Sequence, residues 1–406
     1  MEASESTELE KQFPLGAAVA HADLETDPYA VYARLRDTEP VSWLPIHQMY
    51  YVTRHDLCCN ILCNDKIFTV GFEHSTVLDI FGPHMMSVDG PDARRYKNAH
   101  RRSFMPGYIS DTLEPLIRKN ADRLIDGFAA AGRVELRKKF ASRLPILTML
   151  DLFGLSSDTE EIFRGWYDAF EGALANTLND EGVRARGKQA VKEFHVFMQQ
   201  EIVRTKSSDP GSSLLSSLVH SPMDRRLSDA EIRHNALIVM FGGISTVEAL
   251  ILNAIYALST HPVVFDSLRA GPGLLPKVIE ETVRWLGPVQ SAHRCVAQDT
   301  VVAGVYLPKG SVISCALAAA NHDPEVFENP GRFDIDRDQG KHVGFATGPH
   351  LCLGMHLARA EGRIALERLI TRLEGFTTDP QQSAKPFGAE FRQPPALHIV
   401  WASNHH

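Results

Sequence analysis

Along most of the chain apolar residues recur every three to four positions, and charged residues fill the opposite face, which is the pattern of amphipathic helices. The longest such run is Asp229–Thr260, opened by the capping box Ser228-Asp-Ala-Glu231. About 32 residues at roughly 1.5 Å each reach nearly 50 Å, enough to cross the whole molecule. Further helices are expected from Asp27-Pro28 to near Pro40, and over Arg54–Asn64, Ala93–Phe104, Pro276–Leu286 and Leu353–Leu373; a string of them fills 110–206. Short β-type runs predict a hairpin at Val41–Trp43 and Met49–Thr53, and strands at Arg294–Ala297, Thr300–Val302 and Val312–Ser314. Residues 65–88 carry Gly71, Gly82 and Pro83 without periodicity and read as a long functional loop. Residues 1–20 read as a flexible N-terminus and 21–404 as one domain, mostly α with small β sheets.

Two interruptions in this pattern carry chemistry. Inside the longest helix stands Gly242-Gly243-Ile244-Ser245-Thr246. Two adjacent glycines cost roughly 2 kcal/mol relative to alanine, so they need a reason. One is a kinked or opened turn against a bulky ligand; another is tight helix packing. The second interruption is Phe345-Ala346-Thr347-Gly348-Pro349-His350-Leu351-Cys352-Leu353-Gly354. It places Cys352 in a loop that feeds a helix N-terminus, where unpaired N–H groups favour the thiolate. Gly354 lets a flat group approach the backbone, Phe345 can cover the sulfur, and Gly348 permits the turn between them.

Composition narrows the class. Over 406 residues, 44% are hydrophobic and 23% charged, ordinary for a globular protein. A net charge of -8 argues against nucleic-acid binding. The acidic start resembles neither a signal peptide nor an anchor, and no run of about 18 apolar residues stands out, so a cytoplasmic protein free of the membrane is expected. The six cysteines show no metal-ligand or disulfide spacing.

Phe-x-x-Gly-x-His-x-Cys-x-Gly resembles the haem-binding loop of the cytochrome P450 family. The resemblance implies the fold of that family, with one haem b (iron protoporphyrin IX) between the Asp229–Thr260 helix and the Cys352 loop. It implies Cys352 as axial thiolate ligand, which favours O–O cleavage. Gly242, Gly243 and Thr246 resemble the oxygen-binding turn, Thr246 being the proton-relay alcohol. The family's acid position there holds Ser245. Glu248 is a substitute proton source, although helical spacing turns it roughly 200° from Thr246. Glu281-x-x-Arg284 and Arg332, in Pro330-Gly331-Arg332-Phe333, match the ion network under the cysteine loop. Arg294 and His350 match propionate partners, since a guanidinium offers a carboxylate two parallel N–H bonds. The family's propionate-binding His and Arg, four apart, are Ala93 and Lys97 here, of which only Lys97 can reach a propionate. Arg94, Arg95, Arg101 and Arg102, with His100, form a basic face where a ferredoxin or flavodoxin would dock.

The implied activity is monooxygenation of a hydrophobic small molecule with O2 and electrons from a separate reductase system, by a chain expected to be monomeric. The alternatives are a peroxide-using variant, suggested by Ser245, and a non-catalytic haem sensor, against which Thr246 argues. The peroxide variants hold a carboxylate with an arginine in the long helix, and Asn235–Thr260 contains none. Candidate pocket residues are Phe72, Val77, Leu78 and Phe81 in the long loop, then Phe170 and Leu174. Ile238, Val239 and Phe241 would line the long helix, and Val289, Gln290, Ala292 and Phe387 the β segments. Glu73, His74 and Gln290 could orient a polar group.

Overall fold

The long apolar run becomes the axis of the molecule. In the computed structural model, which describes residues 3–71, 75–174, 176, 180–223, 226–338 and 340–402, Asp229–Thr260 is one unbroken helix. The Ser228 hydroxyl accepts from the Glu231 N–H while the Glu231 carboxylate accepts from the Ser228 N–H, so both ends of the capping box close. The helix is long and apolar enough to cross a membrane by composition, against the sequence expectation, but 78% of its most apolar window is buried inside the protein. It is a core helix.

The helices that position the site are α1 (His55–Cys63), α2 (Thr76–Phe81), α3 (Gly90–His100), α4 (Glu114–Asp126), α5 (Arg143–Phe153), α6 (Glu160–Leu174), α7 (Glu181–Lys206), α8 (Asp229–Thr260), α9 (Leu275–Trp285) and α10 (Met355–Arg372). Helix α8 packs against α5, α7, α9 and α10, and their apolar faces make one continuous core. At Gly187 a Cβ would lie 2.4 Å from Ala173 Cβ, so α6 and α7 meet at a distance only glycine allows.

A five-stranded sheet flanks this core in the order β1 (Val41–Leu44), β2 (Met49–Val52), β8 (Val312–Cys315), β5 (Ala292–Val296), β3 (Phe68–Thr69). Strands β2 and β8 run parallel and the other pairs antiparallel. Small sheets join β4 (Arg133–Glu135), β10 (His398–Val400) and β9 (Thr377–Thr378), and β6 (Thr300–Val302) with β7 (Val305–Leu307).

Two expectations need correction. Residues 3–17, read as flexible, form two short helices, Ala3–Gln12 and Pro14–Ala17. Phe13 is buried edge-on against Tyr50, and the Glu39 carboxylate accepts from the N–H groups of Leu15 (2.9 Å) and Gly16 (3.1 Å). That anchoring has no periodic signal. Residues 65–88, read as loop, contain β3 and α2, both too short for periodicity to announce.

Candidate active site

The cysteine loop is held from every side. Gly348 has φ +73, and a Cβ there would strike Leu62 O at 2.5 Å, so the turn lies directly on the end of α1. Cys352 N donates to Phe345 O (3.0 Å), closing the loop, and Gly354 caps α10. The Phe345 ring stacks under the Arg359 guanidinium at 4.6 Å. Lys97 Nζ donates to the carbonyls of Pro349 (2.7 Å) and Leu351 (2.8 Å). Lys97, expected on a propionate, is thus engaged in holding the cysteine loop. His350 Nε2 lies 2.9 Å from Asp89 Oδ1. Burial works against that carboxylate's charge, but His350 and the Val70 N–H bring it below its ordinary pKa. His350 is therefore also engaged within the chain. Arg294, buried in the middle of β5, donates to His293 O (2.7 Å) and pairs with no carboxylate among the described residues; burial lowers its pKa. It remains the cation with capacity for a carboxylate ligand.

The thiol of Cys352 departs from expectation. Without an electrophile on sulfur, burial raises its pKa; the Gly354 N–H, Lys97 and Arg359 lower it by less. The residue is nevertheless accessible. An atom both enclosed by protein and accessible to a probe borders an interior cavity, because cores are otherwise close-packed. Helix α8 gives the matching sign: Gly242 is exposed and Thr246 half-exposed, although Phe241, Ile244, Ser245 and Val247 around them are buried.

The two glycines have different causes. A Cβ on Gly243 would lie 2.5 Å from Met149 Sδ, so Gly243 serves the packing of α8 on α5. A Cβ on Gly242 would meet nothing within 4 Å, so Gly242 keeps space open. The helix neither kinks nor opens here, and Thr246 Oγ1 donates to Gly242 O (2.7 Å) within an intact turn. Ser245 is buried on another face. Glu248 does not approach Thr246: it receives Arg137 Nε (2.5 Å) and Gln393 Nε2 (3.2 Å). Open backbone at Gly242, the Thr246 hydroxyl, an enclosed sulfur and a buried Arg294 suit a flat, dianionic metal macrocycle.

Under the loop, Glu281 and Arg284 are fully buried and pair through two bonds, 2.7 and 2.8 Å. Arg284 also donates to the carbonyls of Asn321, Pro330 and Arg332. The third cation is not Arg332. Its side chain is 71% exposed and only approaches Asp334, at 4.0 Å, because the turn at Asn329 sends it outward. Arg337 takes the place, with Nε 3.1 Å from Glu281 Oε1. Sequence reasoning missed Arg337, and it also missed Glu280. Glu280 binds Arg359 at 2.5 and 2.9 Å and His342 at 3.0 Å, tying α9, α10 and the cysteine loop together. Burial opposes its charge, yet these partners hold its pKa at about 2. Adjacency to Glu281 was the available signal.

Phe81, Phe170 and Phe241 meet edge to face, with centroids 5.4 and 5.1 Å from Phe81, and Phe391 reaches Phe241 at 6.3 Å. Ile238 is buried beside them, and Val77, Leu174 and Val239 are half-buried against the same core; Leu78 and Ala292 are half-buried too. Phe72, Glu73 and His74 lie outside the described residues. Phe387, expected at the pocket, is 45% exposed; the Gly388 turn (φ +117) brings Phe391 inward instead, where it pairs with Val289. Gln290 is fully buried; its amide N–H donates to Gly287 O (2.7 Å), while its side-chain oxygen is left without a hydrogen-bond partner among the described residues. On the basic face Arg94, Arg101 and Arg102 are exposed, while Arg95 is paired with Glu231. His100 is buried, and burial lowers its pKa to about 4, so it adds no charge to that face.

The sequence model described as Cytochrome P450 matches residues 273–400. The chain is 34% identical to cytochrome P450 107B1 of Saccharopolyspora erythraea over 313 residues, covering 77% of this chain and 74% of that one. It is 31% identical to the cytochrome P450 monooxygenase PikC of Streptomyces venezuelae, covering 88% and 86% of the two chains. The solved structure of P450BioI in complex with an acyl carrier protein bearing hexadec-9Z-enoic acid superposes with a TM-score of 0.85 at 25% identity, over 94% of this chain and all of that one.

Proposed function

The chain belongs to the cytochrome P450 family, and from that premise we propose how its own residues carry the family's monooxygenation. A haem, which we read as haem b, supplies the oxygen chemistry when bound. Cys352 would hold it through its sulfur. Lys97, Arg359 and the Gly354 N–H provide the positive environment that favours the thiolate. Arg294 would hold one of its carboxylates. His350 holds Asp89, and Lys97 holds the loop carbonyls, so both position the ligand loop. The ion groups Glu281–Arg284–Arg337 and Glu280–Arg359–His342 fix that loop beneath α9. Thr246 holds a proton at the Gly242 turn, and the aromatic residues of α2, α6 and α8 exclude water and orient an apolar substrate.

We read residues 21–404, together with the packed N-terminal residues, as one domain and the protein as a cytoplasmic monomer. Electrons come from a separate ferredoxin or flavodoxin at Arg94, Arg101 and Arg102. The substrate is a hydrophobic small molecule, free or tethered to a carrier protein.

One observation carries the reading: accessible Gly242 and Thr246 in the middle of a buried helix, together with an accessible yet enclosed Cys352. The test is the absorption of the reduced, carbon-monoxide-bound protein. A strongly red-shifted Soret band that Cys352→His abolishes is expected; a band in the ordinary haem–imidazole position for the native chain would sink the assignment. Ser245 favours a second reading, peroxide-driven turnover. Turnover with NADH, ferredoxin and reductase, and none with peroxide, excludes it.

A further inference from the structure

Ser245 leaves the long helix without an acid beside Thr246, but a phenol, one helical turn from a carboxyl, comes against Ser245 from α6. Ser245 is buried, and its hydroxyl abuts the phenol of Tyr167 on α6. Neither hydroxyl has a hydrogen-bond partner of good geometry, an unusual condition for buried polar groups. The Tyr167 ring is fixed by stacking on Phe241, 5.6 Å away at 22°. One helical turn beyond Tyr167 stands Glu171, half-buried and without a hydrogen bond or ion pair among the described residues. The ionisable groups facing it are Glu248 on α8, Arg137 in the irregular Arg137–Ala141 turn, and Asp168 on its own helix.

We propose that Glu171, acting through Tyr167 and Ser245, is the proton source for the Thr246 turn. The proposal rests on the monooxygenase reading. In each passage the Glu171 side chain swings against the phenol and its carboxyl gives its proton to Tyr167 Oη as the phenol proton moves to Ser245 Oγ. The Ser245 proton leaves to water beside Thr246, since adjacent helix positions do not face each other. Tyr167 and Ser245 end neutral, and Glu171 regains a proton from solvent through its exposed side. The net change is one proton moved inward, with no electrons. Burial and then the charge of Glu248 raise Glu171 to about 7, against the pull of Arg137, so it is an acid near neutrality. Burial keeps the Tyr167 phenol un-ionised, which suits a relay. Glu248 itself is spoken for by Arg137 and Gln393, and its charge tunes Glu171 rather than donating.

The experiment uses the haem-loaded protein with a surrogate ferredoxin and its reductase, NADH and oxygen, and no added substrate. Oxygen then ends as peroxide, at one oxygen per NADH, or as water, at one oxygen per two NADH. Wild type should form water at a rate that falls about tenfold per pH unit above the titration of Glu171. Glu171→Gln should flatten that limb and raise the peroxide fraction, with the limb restored by Glu171→Asp. Tyr167→Phe and Ser245→Ala should raise the peroxide fraction as well. Independently of turnover, infrared difference spectra should show a protonated carboxyl that titrates near neutrality and is missing in Glu171→Gln. An unchanged limb in Glu171→Gln overturns the proposal, as does an effect of Glu171→Gln that Tyr167→Phe and Ser245→Ala fail to share. The thiolate Soret band, recorded on the same samples, separates this failure from failure of the monooxygenase reading: its loss removes the premise, and its retention confines the failure to the relay.

Discussion

Arg332 and Arg337 make opposite claims on the ion network, and alanine substitution at each distinguishes them. Arg337 is 9% exposed and donates to Glu281, which is fully buried, and to the carbonyls of Glu328, Asn329 and Arg332. Removing both partners of a buried ion would cost 3–5 kcal/mol or more, but Arg337→Ala leaves Glu281 with Arg284 and the Asp334 N–H (2.8 Å). The loss is then one hydrogen bond to a charged group plus carbonyls that water can partly satisfy, about 2–3 kcal/mol. Arg332→Ala removes a 71% exposed side chain 4.0 Å from Asp334, worth no more than about 0.5 kcal/mol. Arg284→Ala strips Glu281 of its bidentate partner and should exceed both, at about 4 kcal/mol. Urea midpoints of the haem-loaded variants at equal m-value give the comparison. Loss of haem on gel filtration should follow the same order, because Arg284 also holds the backbone at Asn321, Pro330 and Arg332. An Arg332→Ala midpoint displaced as far as that of Arg337→Ala would refute the argument.

Other substitutions test other parts of the site. Glu361 is fully buried and accepts from Thr148 Oγ1 at 2.9 Å, and burial raises its pKa to about 8. A carboxyl that binds its proton more tightly when folded contributes full stability below the unfolded value near 4.3, and that stability is lost as pH rises toward 8. Glu361→Gln should therefore stabilise the protein by roughly 2–3 kcal/mol at pH 7 and by little at pH 4.5, measured by urea titration at both pH values. Gly242→Ala should stabilise the haem-free chain by about 1 kcal/mol through helix propensity yet weaken haem retention, because its Cβ enters open space. Gly243→Ala meets Met149 at 2.5 Å and should destabilise both forms by about 1–2 kcal/mol, as thermal or urea melts would register. Thr246→Ala should release more peroxide per NADH at an unchanged thiolate Soret; unchanged peroxide would remove the assigned role.

What the sequence made legible is what repeats or what sits inside a tight local pattern. The ends of α8, Asp229 and Thr260, followed from a capping box and apolar spacing, because both are written in consecutive residues. The Cys352 loop followed for the same reason: its glycines, Phe345 and His350 all lie within ten positions of the sulfur. What was misread depends on which way a turn sends a side chain. Arg332 fits a four-residue pattern, but the left-handed Asn329 rotates it outward and leaves Arg337 to reach Glu281. Phe387 fits a turn, but Gly388 at φ +117 carries the chain on until Phe391 points inward. The resemblance assigns Lys97 and His350 to propionates, but the carbonyls of Pro349 and Leu351 and the carboxylate of Asp89 have prior claim on them. The paired glycines show the limit most sharply. Propensity treats Gly242 and Gly243 alike, and only the position of Met149 and the open space beside Gly242 assign one to packing and the other to the cavity. The same reasoning explains why Glu171 was invisible. It lies roughly seventy residues from Ser245, and its link to the long helix exists only because α6 places Tyr167 against α8. A proton route assembled across two helices leaves no spacing in the chain, whereas an acid beside Thr246 would have left one.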